Sequence, residues 1–95
     1  MVDLRTRAEM IEKAVNDFGA FLHDFRMIKS ISLQQMADRV SITPSYLCRI
    51  ENGKRMPELD VRLRILTKGM HWSVIDVMLY LDQVIGKELT NYQSN

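Results

Sequence analysis

The sequence lacks the disulfide-forming cysteines and the long apolar segments that are typical of secreted and membrane proteins. Its 95 residues include a single cysteine, Cys48, so no disulfide can form within the chain, and this usage fits a reducing compartment. No run of about 18 apolar residues occurs, so no membrane-spanning helix is predicted. The first residues mix acidic with basic side chains and lack an apolar stretch, unlike a signal peptide. We therefore expect a cytoplasmic, nucleoid-associated protein without a membrane partner.

Motifs that carry catalysis or bind metals are also missing. The sequence contains no glycine-rich phosphate loop and no nucleophile elbow. His23 and His71 lie far apart and have no cysteine or carboxylate at the spacing of metal ligands. No repeat, low-complexity tract or linker occurs, and the length allows one domain. We predict a protein that is not an enzyme and needs no cofactor or metal.

Net charge is close to zero, at +1, but it is unevenly distributed. Residues 1–17 carry three basic and four acidic side chains, residues 18–75 carry nine and five, and residues 76–95 carry one and three. The middle segment is therefore basic, and both ends are slightly acidic. Because charge concentrated on one face matters more than the total, this distribution favours a polyanion as the partner of the middle segment.

Hydrophobic spacing predicts a helical N-terminal region. Steps of four and three separate the apolar residues from Leu4 to Phe25, which is the stripe of a helix. We expect either one long helix or two stacked helices broken near Gly19, because glycine weakens a helix interior. The part from Phe18 onward is expected to pack in the core. The part from Leu4 to Val15 is expected to pack there or to contact a partner chain.

Two short helices follow, separated by a three-residue turn. Ser32 and Gln35 form the pattern of a capping box, which predicts a helix starting at Leu33. Thr43 is a good N-cap, and Pro44 suits the first helical position, so the second helix is predicted over 44–52. Two short helices joined by such a turn describe a helix-turn-helix.

The last third of the chain is predicted to be helical as well. The stretch from Leu59 to Met70 alternates like a strand but also carries a helical stripe, and no second strand is available for pairing. Ser73 with Asp76 three residues on marks the start of a last helix. That helix is apolar on more than one face, so we expect it to pack against two neighbours. The polar residues 91–95 are expected to form a flexible tail.

The second short helix has the composition of a DNA-reading helix. Thr43, Ser45 and Arg49 point to one solvent face, and Arg49 can contact guanine O6 and N7 with about 1–3 kcal/mol of discrimination. The loop after it can meet the sugar-phosphate backbone. The candidate base contacts are Thr43, Pro44, Ser45, Tyr46 and Arg49, and the candidate backbone contacts include Arg39, Asn52, Lys54 and Arg55. Tyr46 could instead cover the edge of the core.

The segment LQQMADRVSITPSYLCRIENGKRMP, residues 33–57, resembles the lambda-repressor-like, Cro-type helix-turn-helix family of bacterial and phage regulators. Its most specific element is the pattern I-E-x-G-x-R-x-P at residues 50–57. The resemblance runs from Phe18 to about Leu81. It implies a compact five-helix domain that binds operator DNA as a dimer, with Arg26 paired to Glu51 as a structural salt bridge.

The sequence departs from that family at several positions of the motif. Leu33 stands where glutamine is common, so the resemblance transfers the phosphate contact to Gln34 or Gln35. Ser41 replaces a usual glycine in the turn, so a left-handed conformation there would be strained. Pro44 occupies the first exposed position of the recognition helix and cannot donate a hydrogen bond.

The helix after the recognition helix departs as well. Arg62 lies near an expected apolar site, and one extra residue precedes Met70. Together these observations predict an all-α fold: an N-terminal helical extension over 1–16, a helix-turn-helix domain over 17–90 that ends in a long apolar helix, and the tail.

The leading functional hypothesis is a transcriptional repressor that binds an inverted-repeat operator in double-stranded DNA as a homodimer. Its predicted dimer interface consists of Leu4, Ile11, Val74, Ile75, Met78, Leu79, Leu81 and Ile85. One alternative is an antitoxin-type autorepressor that binds a toxin through the N-terminal stripe. Another is a protein-interaction module that has lost DNA binding. Cys48 is more typical of an inert small side chain than of a redox switch.

Overall fold

The computed structural model of the chain describes the backbone of residues 4–93 and the side chains of residues 6–90. Within this part the fold is all-α, which confirms the predicted fold class. The six helices are α1 (Leu4–Asn16), α2 (Phe18–Lys29), α3 (Leu33–Val40), α4 (Pro44–Glu51), α5 (Leu59–Arg64) and α6 (Val74–Gln93). A π-helical turn, Ile65–Gly69, continues α5.

The N-terminal stripe forms two helices, and the break between them lies at Asp17. This residue leaves helical geometry at φ −148°, and its carboxylate accepts a hydrogen bond from Ala20 N at 3.2 Å. Asp17 is therefore the N-cap of α2, two residues before the predicted break. Gly19 serves another purpose, since a Cβ there would lie 2.2 Å from the backbone oxygen of Ile50. Its missing side chain lets α2 approach α4 closely.

Replacing Gly19 with alanine should therefore destabilise the protein. The new Cβ would push against the backbone of α4, and overpacking of this kind costs about 1–3 kcal/mol. Gly86 is the matched control, because a Cβ on this helical residue meets nothing within 4 Å. Gly86→Ala should raise the free energy of unfolding by up to about 1 kcal/mol. Urea unfolding of both variants measures the two effects, and equal stability of Gly19→Ala and wild type would contradict the close approach.

Helix α1 packs within the single chain, against α2 and α6. Ile11 is 1% exposed and Ala14 is fully buried. The prediction that Ile11 contacts a second chain is therefore wrong. The apolar face of α1 packs against other helices of the same chain, α6 among them. Leu4 was predicted beside it, and its side chain lies outside the described residues. The described part of the N-terminal extension thus contributes Ile11 and Ala14 to the core.

The core draws on every helix except the short α5, together with the π-helical turn and the loop before α3. Its buried apolar residues are Ile11, Ala14, Phe18, Leu22, Ile31, Met36, Ala37, Val40, Leu47, Ile50, Ile65, Leu66, Met70 and Tyr80. Met36 and Val40 form the inward face of α3, and Leu47 and Ile50 form that of α4. From α6, Tyr80 is fully buried in the core and Val84 packs against it.

The π-helical turn accommodates the extra residue that the sequence carries before Met70. Met70 N donates to Ile65 O at 2.9 Å, a bond that spans five residues instead of four. Arg62, at the unexpected polar position, donates from Nε to Pro57 O at 3.1 Å and from Nη1 to Tyr80 Oη at 3.0 Å. This arginine therefore links the loop after α4 to the last helix.

Helix α6 begins at the predicted place, with Ser73 Oγ accepting a hydrogen bond from Asp76 N at 3.2 Å. The helix continues to Gln93, so its backbone includes the first three residues of the predicted tail, and the last two fall outside the described residues. Several large apolar side chains of α6 remain exposed. In the part of the chain that the structure describes, no helix combines the length and apolar character that a membrane span needs.

Candidate nucleic-acid interface

Both ends of α3 have the geometry that the sequence predicts. At its start, Ser32 Oγ accepts a hydrogen bond from Gln35 N at 3.0 Å and Gln35 Oε1 accepts one from Ser32 N at 2.8 Å, so the predicted capping box is confirmed. Ser41 ends α3 in the left-handed conformation at φ 58°. A serine costs more than glycine in this conformation. The turn then leads directly into α4.

Helix α4 is anchored by one buried face and open on the other. Thr43 Oγ1 accepts a hydrogen bond from Tyr46 N at 3.1 Å, and Pro44 occupies the first turn. Leu47 and Ile50 are buried in the core. On the opposite face Ser45, Cys48 and Arg49 are exposed. The helix is therefore held rigidly while its polar face meets solvent.

Two basic side chains at the C-terminal end of this face have no internal partner. Arg49 and Lys54 are exposed and form no hydrogen bond or ion pair through their side chains with any described residue. Gly53, at φ 73°, turns the chain so that Lys54 N donates to Arg49 O at 2.9 Å. Their charges are thus available to an external anion.

Tyr46 and Arg55 form a contact that the sequence did not predict. The guanidinium carbon of Arg55 lies 5.8 Å from the centre of the Tyr46 ring, within the range of a cation–π interaction. The ring itself is half-buried against the core. Tyr46 therefore covers the core edge, as the second interpretation held, and it also positions Arg55 beside α4. Asn52, the C-cap of α4, donates from Nδ2 to Cys48 Sγ at 3.4 Å.

The predicted backbone contacts on α3 are already engaged within the protein. Gln34 Nε2 donates to Asp38 Oδ1 at 2.8 Å, and the Gln35 side-chain oxygen belongs to the capping box. Arg39 donates from Nη1 to Gly69 O at 3.0 Å and lines a cleft whose walls include no residue of α4. Gln35 keeps its amide hydrogens free for another acceptor.

Glu51, at the end of α4, is held by a buried ion pair. Arg26 donates from Nε to Oε2 at 2.6 Å and from Nη2 to Oε1 at 2.8 Å, and its Nη1 donates to Ile31 O at 3.1 Å. The Glu51 side chain is 6% exposed. This geometry ties α2 and the loop after it to the C-terminal end of α4.

His23 joins this pair, which the sequence reasoning missed. Its Nδ1 lies 3.0 Å from Glu51 Oε1. The available signal was its position three residues before Arg26, which places both side chains on one face of α2. Burial by itself raises the pKa of Glu51, but the hydrogen bonds from Arg26 and then His23 outweigh it. The pKa of this carboxyl therefore lies below its usual range.

Comparison with known proteins agrees with the geometry of the two helices and their turn. A family model described as a helix-turn-helix domain matches residues 17–68, more than half of the chain, from the N-cap of α2 into the π-helical turn. No curated protein and no solved structure shows significant similarity to this chain. Helix-turn-helix domains are typical of DNA-binding regulators. The chain belongs to the helix-turn-helix domain family.

Proposed function

We propose that the protein is a sequence-specific transcriptional regulator, a repressor of the Cro type, that binds an inverted-repeat operator as a homodimer. Helix α4 would lie in the major groove of each half-site. Two-fold symmetry of the dimer would set the two half-sites about one helical turn apart. Occupying a promoter in this way would block RNA polymerase.

The observation that carries this proposal is the open face of α4. Arg49 is exposed, has no partner among the described residues, and projects from a helix that Leu47 and Ile50 fix to the core. Such an arginine can form two hydrogen bonds to one guanine without first breaking an internal contact. Thr43, Pro44, Ser45 and Tyr46 at the start of the helix would contact neighbouring base edges or sugars.

The proposed backbone contacts flank this helix. In the first turn of α4 the Ser45 N–H is the donor left for a phosphate, because Pro44 has no N–H and Tyr46 N donates to Thr43 Oγ1. Lys54, Arg55 and Asn52 follow the C-terminal end and would contact the next phosphates. On α3, Gln35 remains the better candidate because its amide hydrogens are free, whereas Gln34 already donates to Asp38. Arg39 is the weakest of the proposed contacts, since it lines the separate cleft.

The dimer would form through a stripe of exposed apolar residues on α6, here called the α6 stripe. Val74 is 75% exposed and Met78 is 61% exposed. With half-buried Leu81 and exposed Ile85 and Leu89 they repeat at steps of four and three on one helix face about 22 Å long. Ile75 and Leu79, also exposed, extend its edge. A contiguous apolar surface of this length is typical of a protein–protein contact.

Two alternatives would use the same stripe differently. The antitoxin-type autorepressor was predicted to bind its toxin through the N-terminal stripe, but that stripe packs against α2 and α6. A toxin would instead cover the α6 stripe in place of a second copy, and the two proteins would purify together from the native host. A pure interaction module would bind its partner without contacting DNA. The unpaired Arg49 and Lys54 favour the regulator, because an interaction module has no use for both charges beside α4.

Salt dependence of DNA binding tests the proposal. The logarithm of the association constant should fall linearly with the logarithm of salt concentration, by about 0.9 per phosphate contact. Lys54→Gln should reduce the slope by roughly one contact. Lys87→Gln removes the same charge from exposed α6 and should leave the slope unchanged. Fluorescence anisotropy with a labelled duplex measures all three proteins. A slope near zero for wild type would exclude DNA as the partner.

A further inference from the structure

A second recognition feature lies away from α4. A cleft of about 1150 Å³ opens between α1, α2, the end of α3 and the loop before α6. Its apolar wall is formed by Met10, Phe21, Phe25, Ile31, Met70 and Trp72. Phe21 and Trp72 meet edge to face with ring centres 5.8 Å apart. The space is large enough for a small organic molecule, and an apolar wall with few polar groups is typical of ligand sites.

The charges around this cleft do not cancel. Its two carboxylates each have a cation within the same wall: Asp76 Oδ1 lies 2.9 Å from Arg7 Nε, and Asp24 pairs with Lys13. Lys29 and Arg39 also line the cleft and have no carboxylate partner among the described residues. Arg39 donates one hydrogen bond to a backbone oxygen, and Lys29 forms no side-chain bond. The cleft therefore combines an aromatic wall with uncompensated positive charge.

We propose that this cleft binds a small amphipathic carboxylate. Its apolar body would lie against Phe21, Phe25 and Trp72, and its carboxylate would accept hydrogen bonds from Lys29 and Arg39. Charge complementarity selects the anion over a neutral or cationic molecule of the same shape. The site is separate from the recognition helix, because its walls contain no residue of α4, and it shares only Arg39, the weakest of the proposed backbone contacts, with the proposed DNA face.

Trp72 provides a direct reporter, since it is the only tryptophan of the chain and lies in the cleft wall. The probes are decanoate, below its micelle concentration, and its neutral counterpart decanamide. Decanoate should change the emission of Trp72 saturably and bind about tenfold more tightly than decanamide, the difference that charged hydrogen bonds supply. The full-length protein without DNA is sufficient for this titration.

Substitutions of Lys29 and Arg39 test whether these two cations bind the carboxylate of decanoate. Lys29→Gln should weaken decanoate several-fold without changing decanamide, and Lys29→Gln with Arg39→Gln should make the two probes equal. Lys68→Gln removes an exposed charge outside the cleft and should bind decanoate like wild type. Because Lys29 has no internal partner, its substitution tests the proposal even where the double variant unfolds.

Three results would overturn the site. The first is no saturable change in Trp72 emission with decanoate, and the second is equal affinity of wild type for decanoate and decanamide. The third is a decanoate affinity of Lys29→Gln equal to that of Lys68→Gln. None of them bears on the DNA face, so this proposal and the proposed regulator can fail separately.

Discussion

Replacing Arg26 with alanine should lower the free energy of unfolding by about 3–5 kcal/mol, a large part of the stability of a domain this size. The substitution removes both hydrogen bonds from Arg26 to Glu51 and leaves that carboxylate buried with only half-exposed His23 beside it. It also removes the donor to Ile31 O. Urea unfolding followed by circular dichroism measures the change.

Lys13→Ala is the matched control for this prediction. Lys13 and Asp24 also form an ion pair, but both side chains are about half exposed to solvent. Water and dissolved ions screen such a pair, so its loss should change stability far less. A loss for Arg26→Ala no larger than that for Lys13→Ala would show that the buried pair contributes little to the fold.

The same pair predicts acid sensitivity with a definite sign. The folded-state pKa of Glu51 is lowered, because the hydrogen bonds from Arg26 and His23 outweigh the opposing effect of burial. A carboxyl with a lowered folded-state pKa contributes its full stabilisation at pH values above the ordinary glutamate pKa of about 4.3. This contribution is lost as the pH falls through the folded-state pKa. The stability difference between wild type and Glu51→Gln should therefore shrink below about pH 4.3. A difference that stays constant through this range would contradict the ionic contribution.

Replacing Met78 with glutamate should separate the proposed dimer into monomers. The substitution places a charge within the α6 stripe, where a dimer would bury it without a partner. Light scattering should then give the mass of one chain, 11.1 kDa, while wild type gives twice that value. Because two linked half-sites bind together, operator affinity should fall by about 10²-fold or more.

Gln83→Glu is the control for charge alone. Gln83 is an exposed α6 residue that lies off the α6 stripe, so its replacement adds the same charge outside the proposed interface. This variant should remain dimeric and bind DNA like wild type. A wild-type protein of monomer mass, or a Met78→Glu variant that still dimerises, would remove the α6 stripe from the account.

Features fixed by neighbouring residues could be predicted from the sequence. The caps at Ser32, Thr43 and Ser73 were recognised because a capping side chain acts on backbone groups two or three residues away. The strained turn at Ser41 follows from the same local geometry. The extra residue before Met70 was also visible, although its accommodation by a π-helical turn was not, because that depends on how Ile65 and Leu66 pack.

Features fixed by distant contacts could not be predicted. Periodicity identified the apolar face of α1 but not its neighbour, so Ile11 was assigned to a second chain although α6 covers it. Gly19 predicted a helix break, whereas the structure requires glycine there because the backbone of α4 lies too close for a side chain. His23 at Glu51 and the cleft around Trp72 likewise depend on elements far apart in the sequence.

The central claim is that α4 reads DNA sequence, and selection of bound duplexes from random DNA tests it most directly. Wild type and Arg49→Ala would be selected in parallel under the same conditions. We predict that wild type enriches an inverted repeat, and that Arg49→Ala loses the preference for one guanine in each half-site while keeping the rest of the pattern. No enriched sequence for wild type, or the same preference at every position in both proteins, would contradict the account.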